Sequence, residues 1–154
     1  MNFEAEIEID APSATVWAIL ADVERWPEWT ASVKKVEILS GAPAGVSTKV
    51  RVKQPRLRAL VWDITDFVPG REFTWHASTL GVRCAGIHRV ETGSDRPGSD
   101  NTTKVVLRME QVGVLAPLVG LLTARLTRRY LSYEAEGLKA RAEEWAARSS
   151  KARQ

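Results

Sequence analysis

The chain has 154 residues, of which 44% are hydrophobic and 27% are charged, and this ordinary composition excludes a disordered chain. The length suits one domain built around one hydrophobic core. The net charge of +3 is small, and Glu residues interrupt the Lys and Arg residues of the C-terminal third, so we expect no nucleic-acid partner.

Cysteine content and apolar stretches indicate the compartment. Cys84 is the single cysteine, which excludes an intrachain disulfide and a cysteine-rich zinc site. Residues 1–6 lack the basic start and the apolar run of a signal peptide. Residues 112–122 form the most apolar stretch but are too short to span a bilayer. We therefore expect a cytoplasmic protein without an integral membrane segment.

The N-terminal residues predict a strand followed by two short helices. Apolar and acidic residues alternate strictly over residues 3–9, which is typical of a strand that covers a core with one face. Pro12 and Ser13 suit the first turn of a helix that carries Val16, Trp17, Ile19 and Leu20. Pro27 ends any helix that precedes it, so residues 22–30 predict a second short helix or a turn.

From Val33 to Gln111 the pattern predicts six further strands joined by short turns. Turn signals stand at residues 41–45, at Pro55 and at 69–70, and a polar loop that we expect to be mobile covers 93–101. One of these strands alternates Val46, Thr48, Val50 and Val52 with Lys49, Arg51 and Lys53. The last strand places Thr103, Val105, Leu107 and Met109 on one face.

One hairpin has a predictable register. A turn centred on Leu80-Gly81 places Ala77 opposite Cys84, Trp75 opposite Gly86 and Phe73 opposite His88. The same register keeps charged residues on the outer face, and Gly86 leaves room for the large ring of Trp75.

After about Leu115 the hydrophobic period becomes helical. One stripe is formed by Leu115, Val119, Leu122, Leu126, Tyr130, Tyr133 and Gly137, and an adjoining stripe by Leu131, Leu138, Ala142 and Trp145. The apolar face of such a long helix must be buried against an extended surface, and the concave side of the sheet is the available one. We predict one α+β domain over residues 1–148, with a disordered tail over 149–154; the sequence does not indicate an oligomeric state.

Two segments resemble a known family. Residues 11–17 (APSATVW) and 20–29 (LADVERWPEW), together with Leu138-Lys139 and Ala142-Glu143 in the last helix, resemble the START-like (SRPBCC) superfamily, in its polyketide cyclase/dehydrase and lipid transport branch. The resemblance covers nearly the whole chain. It implies a helix-grip fold, in which a curved antiparallel sheet of about seven strands wraps around a long C-terminal helix and encloses a ligand cavity. Members of the superfamily include aromatases, cyclases and lipid- or ubiquinone-binding proteins, which share no catalytic triad.

Aromatic side chains on the predicted inner face indicate where a ligand would bind. Flat rings with a few polar groups suit a planar or isoprenoid-like molecule. The alternative is that these rings fill the interior and leave no cavity. The candidate ligand-binding residues are Trp26, Trp29, Trp62, Phe73, Trp75, His88, Met109, Leu122, Leu126, Tyr130 and Tyr133.

His88 is the candidate acid or base, because burying a titratable group on the inner face is unfavourable unless the group is satisfied or has a function. The alternative is a core histidine that a neighbour or a water satisfies. Cys84 and His88 lie about 13 Å apart along one strand, too far for a nucleophile and its base. His76 and His88 point to opposite faces and cannot share a metal ion, so we expect no metal and no cofactor.

Three functions remain open from the sequence. The leading hypothesis is binding of a small hydrophobic molecule such as a lipid, quinone or polyketide. The second is an aromatase, cyclase or dehydratase that acts in the same cavity. The third is a protein or membrane interaction module that uses residues 112–122.

Overall fold

A computed structural model describes residues 1–40, 45–91 and 101–154, so the turn at 41–44 and most of the loop expected at 93–101 lie outside the described residues. The elements are β1 (Asn2–Ile9), α1 (Ser13–Ala21), a 3-10 helix (Val23–Glu28), β2 (Lys35–Ser40), β3 (Lys49–Lys53), β4 (Leu60–Val68), β5 (Glu72–Thr79), β6 (Val82–Glu91), β7 (Thr103–Val112) and α2 (Ala116–Ala152). Within these ranges, no helix combines the length and the apolarity that crossing a membrane requires.

The seven strands form one antiparallel sheet in the order β1-β7-β6-β5-β4-β3-β2. Strands β2 to β7 each pair with their sequence neighbours. Strand β1 pairs with β7, so the two ends of the strand region meet at one edge of the sheet. Together with the long helix α2, this order confirms the predicted helix-grip fold.

The β5–β6 hairpin has the predicted register. Trp75 pairs with Gly86, Phe73 with His88, and Ala77 with Cys84. Leu80 and Gly81 form the turn with φ values of 49° and 73°, and two positive φ values are typical of a type I′ turn that matches the twist of a hairpin. The alternation therefore directs the inner residues of both strands into the core.

Strand β3 begins later than the sequence pattern predicts. Residues 45–48 form a turn in which the Thr48 amide donates to the Gly45 carbonyl over 3.1 Å, and Ser47 has a φ of 70°. Val46 is therefore exposed, whereas Val50 and Val52 are buried as predicted.

Helix α1 and the 3-10 helix cover one end of the sheet. The edge of the Trp17 ring packs on Phe67 at 5.6 Å and on Phe73 at 6.3 Å between ring centroids. Trp26 is buried, and its Nε1 donates a hydrogen bond to the Leu20 carbonyl over 2.9 Å. These contacts fix both short helices against the inner face.

Helix α2 packs against β1, β7 and α1. It approaches its neighbours most closely at two glycines. A Cβ at Gly120 would collide with Met1, and a Cβ at Gly137 would collide with the Trp29 carbonyl. The helix continues to Ala152, four residues beyond Arg148 and into the segment for which the sequence predicts a disordered tail.

The first turns of α2 differ from the predicted apolar stripe. Ala116 and Gly120 are the buried residues there, because small side chains permit the close approach. The neighbouring leucines consequently face outward: Leu115, Leu118, Leu121 and Leu122 are exposed. The predicted stripe is therefore wrong at Leu115 and Leu122.

Replacing Gly86 by Ala tests the packing of the hairpin. A Cβ at this position would lie 2.7 Å from Cδ1 of Trp75 and closer still to its Nε1, so we expect Gly86→Ala to reduce the free energy of unfolding by about 1–3 kcal/mol. Urea denaturation measures the change. Gly45→Ala is the matched control, because a Cβ at Gly45 would meet no atom within 4 Å; equal losses in both variants would contradict the packing argument.

Candidate functional site

A cavity of about 370 Å³ lies between the sheet and the first half of α2. Its strand and turn side is lined by Gln54, Arg56, Leu57, Arg58, Leu60, Trp62, Thr79, Leu80, Cys84, Met109 and Gln111. Its helix side is lined by Val119, Thr123, Leu126, Thr127, Tyr130, Leu131 and Glu134. Arg56, Arg58 and Leu80 are also exposed, so the cavity opens to solvent beside the β3–β4 connection and the β5–β6 turn.

Tyr130 fixes one wall of this cavity. Its side chain is buried, and its hydroxyl donates a hydrogen bond to the Pro55 carbonyl. That bond ties the β3–β4 connection to the middle of α2. Burial raises the pKa of Tyr130, so the phenol stays protonated and keeps donating at neutral pH.

A second, smaller space of about 30 Å³ adjoins the cavity, and Gln54, Trp62, Met109, Leu131 and Glu134 line both. Trp26, Trp75, Gly86 and His88 line only this smaller gap. Its volume suits one or two waters rather than an organic ligand.

Aromatic rings fill the interior on the far side of the gap. Trp26 lies 5.2 Å from both Trp75 and His88, and Trp62 lies 5.3 Å from Trp75, measured between ring centroids. Such distances are those of packed aromatic pairs. The aromatic cluster is thus a packed core that borders the cavity.

His88 belongs to this cluster. It is buried and stacks on Phe73 with ring centroids 4.3 Å apart. Its Nδ1 has no hydrogen-bond partner within the described residues. Burial lowers the pKa of His88 to about 3, against the opposing effect of a hydrogen bond with the Phe73 backbone, so the imidazole is neutral at pH 7.

Glu134 is the titratable group that sequence reasoning missed. It is 8% exposed, lines both spaces, and forms no hydrogen bond or ion pair with the described residues. Burial raises the pKa of its carboxyl to about 8, so the group is mostly protonated at pH 7 and can donate a hydrogen bond. Its position one helical turn from both Tyr130 and Leu138 was the available signal, since residues four apart share a helix face.

Gln111 is a second buried polar residue of the cavity wall. Its backbone pairs with Met1, but its side-chain Oε1 has no hydrogen-bond partner within the described residues. Gln111 and Glu134 thus both line the cavity, and the Gln111 Oε1 and the Glu134 carboxyl have no hydrogen-bond partner within the described residues.

The structure divides the residues predicted to contact a ligand into groups. Trp62, Met109, Leu126 and Tyr130 line the cavity. Trp26, Trp75 and His88 line the smaller gap alone, and Phe73 packs behind His88.

Besides Phe73, three of the predicted residues line neither space. Leu122 is 76% exposed on the outer side of α2. Tyr133 is half-buried, and its hydroxyl accepts a hydrogen bond from Arg129 Nε over 2.5 Å. Trp29 packs against α2 at Gly137. The sequence pattern predicts that Leu122 and Tyr133 face inward. They do not, because the close contact at Gly120 turns a different face of the helix inward.

The other residues considered for chemistry are separated. Cys84 lines the cavity, and burial raises the pKa of its thiol, which opposes the reactive thiolate. His76 lies on the opposite face of the sheet from His88, where its Nδ1 is 2.9 Å from the Thr65 hydroxyl.

Several solved structures share this fold. A hypothetical protein from Helicobacter pylori matches with a TM-score of 0.77 at 12% identity, over 92% of this chain and 88% of that chain. A START superfamily protein from Mycobacterium smegmatis matches with a TM-score of 0.71 at 15% identity, over 94% and 98%. The Zhui aromatase/cyclase from Streptomyces sp. R1128 matches with a TM-score of 0.66 at 20% identity, over 96% and 94%. These likenesses establish a common fold.

The family assignment rests on the sequence match itself. The family model described as polyketide cyclase/dehydrase and lipid transport matches residues 1–143, which include every strand and most of α2. The chain belongs to the polyketide cyclase/dehydrase and lipid transport family.

Proposed function

We propose that the protein binds a small, largely apolar molecule of lipid, quinone or polyketide type in the cavity between the sheet and α2. The observation that carries this proposal is a cavity of about 370 Å³ whose walls are mainly apolar and whose inner end holds the buried Glu134 carboxyl. Ligand pockets typically occupy about 300–1,000 Å³ and combine apolar walls with a few polar groups. The family and the fold support the same kind of function.

The polar groups indicate which end of the ligand enters first. A protonated Glu134 can donate a hydrogen bond to a carbonyl or hydroxyl oxygen of the ligand. Buried polar groups without partners are unfavourable until something satisfies them. We therefore expect an oxygen-bearing end of the ligand to lie deep in the cavity and the apolar remainder to lie towards the opening.

A cavity-filling substitution tests binding. Leu126→Trp adds bulk to the cavity wall, so we expect it to weaken binding of 2-naphthol, a two-ring phenol, at least about tenfold. Isothermal titration calorimetry measures the affinity. Leu122→Trp is the matched control on the outer side of the same helix, where we expect no more than a twofold change.

Native mass spectrometry of freshly purified protein, followed by organic extraction, addresses the natural ligand. A bound compound with one oxygen-bearing end would support the proposal. Absence of any bound compound, combined with equal 2-naphthol affinity in Leu126→Trp and wild type, would contradict it.

The two buried titratable groups make the folding stability depend on pH in opposite directions. The Glu134 carboxyl has a pKa of about 8 in the folded chain against an ordinary value of 4.5, so the unfolded chain loses this proton first and stability falls as pH rises from 4.5 to 8. His88 has a pKa of about 3 against an ordinary 6.5, so stability rises with pH from 3 to 6.5. Above pH 6.5 only the Glu134 effect remains of these two.

We therefore expect wild-type stability to fall by about 1–2 kcal/mol between pH 6.5 and pH 8. Glu134→Gln removes the titrating proton and should abolish most of this decline. Urea denaturation at the two pH values measures it, with the exposed Glu136→Gln as control. An equal decline in wild type and Glu134→Gln would show that the carboxyl is already ionised in the folded chain.

A second candidate function is acid–base catalysis on a ligand in the same cavity, as an aromatase, cyclase or dehydratase would perform. Glu134 favours it, because a carboxyl with a pKa of about 8 is a proton donor matched to neutral pH. His88 suits the role of acid less well, because a pKa of about 3 leaves it without a proton to give. The sequence hypothesis that centred on His88 therefore becomes a hypothesis about Glu134, with His88 as a neutral neighbour in the adjoining gap.

Deuterium exchange at the activated α-carbon of 2-tetralone, followed by NMR in D₂O, tests this second candidate. Glu134 would protonate the ketone oxygen while a solvent water removes the α-proton. The enol would then take a deuteron from solvent at the α-carbon and return the proton on its oxygen to the Glu134 carboxylate. We expect Glu134→Gln to lower the exchange rate at least about tenfold while affinity stays within about threefold. Full activity in Glu134→Gln together with loss in His88→Ala would assign the chemistry to His88 instead. A wild-type rate equal to that of buffer would exclude this activity and leave the binding proposal standing.

A further inference from the structure

Large apolar side chains are exposed together at one end of the molecule. The start of α2 and the β5–β6 turn contribute six residues that are between 44% and 95% exposed, and we call them the apolar patch: Leu80, Val114, Leu115, Leu118, Leu121 and Leu122. A cluster of exposed leucines on a protein surface marks an interaction site, whereas single ones are common.

The patch is continuous. Leu115 lies against the β5–β6 turn, since its Cδ1 is 3.6 Å from the position of a Cβ at Gly81. Leu118, Leu121 and Leu122 follow at helical spacings of three and four residues, which places them on one side of α2. Two elements that are distant in sequence therefore present a single apolar surface.

Arginines surround this patch without acidic partners. Segments 54–62, 79–90 and 111–133 contain no Asp or Glu. Six exposed arginines of these segments form no ion pair within the described residues: Arg56, Arg58, Arg83, Arg125, Arg128 and Arg129.

Most arginines elsewhere in the described part of the chain are paired, although Arg71 and Arg153 form no ion pair there. Arg108 lies 2.6 Å from a Glu4 carboxylate oxygen, and Arg141 lies 2.8 Å from one of Glu28. Arg25, Arg51, Arg89 and Arg148 also lie within 4 Å of carboxylates. Most of the arginines without an ion pair among the described residues therefore belong to the segments that carry the apolar patch and the cavity wall.

The exposed leucines at the start of α2 are followed along the helix by exposed arginines. Leu118, Leu121 and Leu122 are followed by Arg125, Arg128 and Arg129. At a rise of 1.5 Å per residue, Leu118 and Arg125 are separated by about 10 Å along the helix. Amphipathic segments at the interface bury their apolar side chains about 5–10 Å into the headgroup and acyl boundary, where cationic side chains meet lipid phosphates.

We propose that the apolar patch docks on the surface of a bilayer that contains anionic phospholipids. The leucines enter the acyl boundary and the six arginines contact the headgroups. A second copy of the chain is a poorer partner, because a face-to-face dimer would bring two sets of unbalanced arginines together. The proposal stands independently of the cavity ligand, although Leu80 belongs to both the patch and the cavity wall, so docking would place the opening at the membrane.

Vesicle sedimentation tests the proposal. We expect the full chain to bind vesicles of phosphatidylcholine and phosphatidylserine (7:3) at least about tenfold more tightly than pure phosphatidylcholine vesicles, and to lose that preference in high salt. Leu118→Glu/Leu121→Glu should reduce binding at least about tenfold. The control is Leu39→Glu/Val61→Glu, which adds the same charge at leucine and valine positions exposed elsewhere. A wild-type circular-dichroism spectrum and a cooperative urea transition would show that each variant is folded.

A charge reversal provides a second test if the leucine variant fails to fold. Arg125→Glu should weaken binding to the anionic vesicles roughly twentyfold, since each basic residue near such a surface contributes about a fivefold effect. Arg148→Glu on the distal part of α2 should change it less than threefold. Failure of wild type to bind either vesicle, or equal binding by wild type and Leu118→Glu/Leu121→Glu, would overturn the proposal. A dimer in light scattering that the leucine substitutions dissociate, without vesicle binding, would assign the patch to a second copy.

Discussion

The cavity depends on two close contacts of α2 with the rest of the domain. At Gly120 the helix backbone meets Met1, and at Gly137 it meets the Trp29 carbonyl. From Gly120 to Gly137 the helix rises by about 25 Å, and every helix residue of the cavity wall except Val119 lies within that interval. Small residues bring the helix close at the two ends, and larger residues such as Leu126 and Tyr130 occupy the middle. A side chain at Gly137 would collide with a backbone carbonyl, whereas at Gly120 the flexible Met1 side chain could move aside.

The interior combines a tightly packed half with an open half. Stacked rings around His88 leave space for one or two waters, whereas the region nearer the start of α2 accommodates an organic molecule. Glu134 lies at the border, and burial keeps its carboxyl neutral. A neutral carboxyl without a partner is unfavourable for folding but available for a ligand, which is the usual compromise at a binding site.

The sequence predicts the parts of the fold that depend on local periodicity. The register that pairs Trp75 with Gly86 follows from alternation, because a shift by one residue would bury Arg83 and Arg89. The face of α2 near Leu122 could not be predicted in the same way, because the helix rotates to bring Gly120 inward and the hydrophobic pattern alone favours leucine. Glu134 was missed for a related reason: a charged residue is assigned to the surface unless its neutral form is considered. The prediction that a ligand contacts the large aromatic rings pointed to the packed half, although the open half is lined mainly by aliphatic and small polar side chains.

Leu80 illustrates how a local sequence choice can oppose folding. It occupies the first central position of a type I′ turn with a φ of 49°, where Asn or Gly avoids the strain that a leucine side chain introduces. Its side chain is 78% exposed, so burial of apolar surface does little to offset that strain. Selection for thermal stability alone would therefore replace Leu80 with Asn, and libraries of this protein screened only for heat resistance should lose this leucine early.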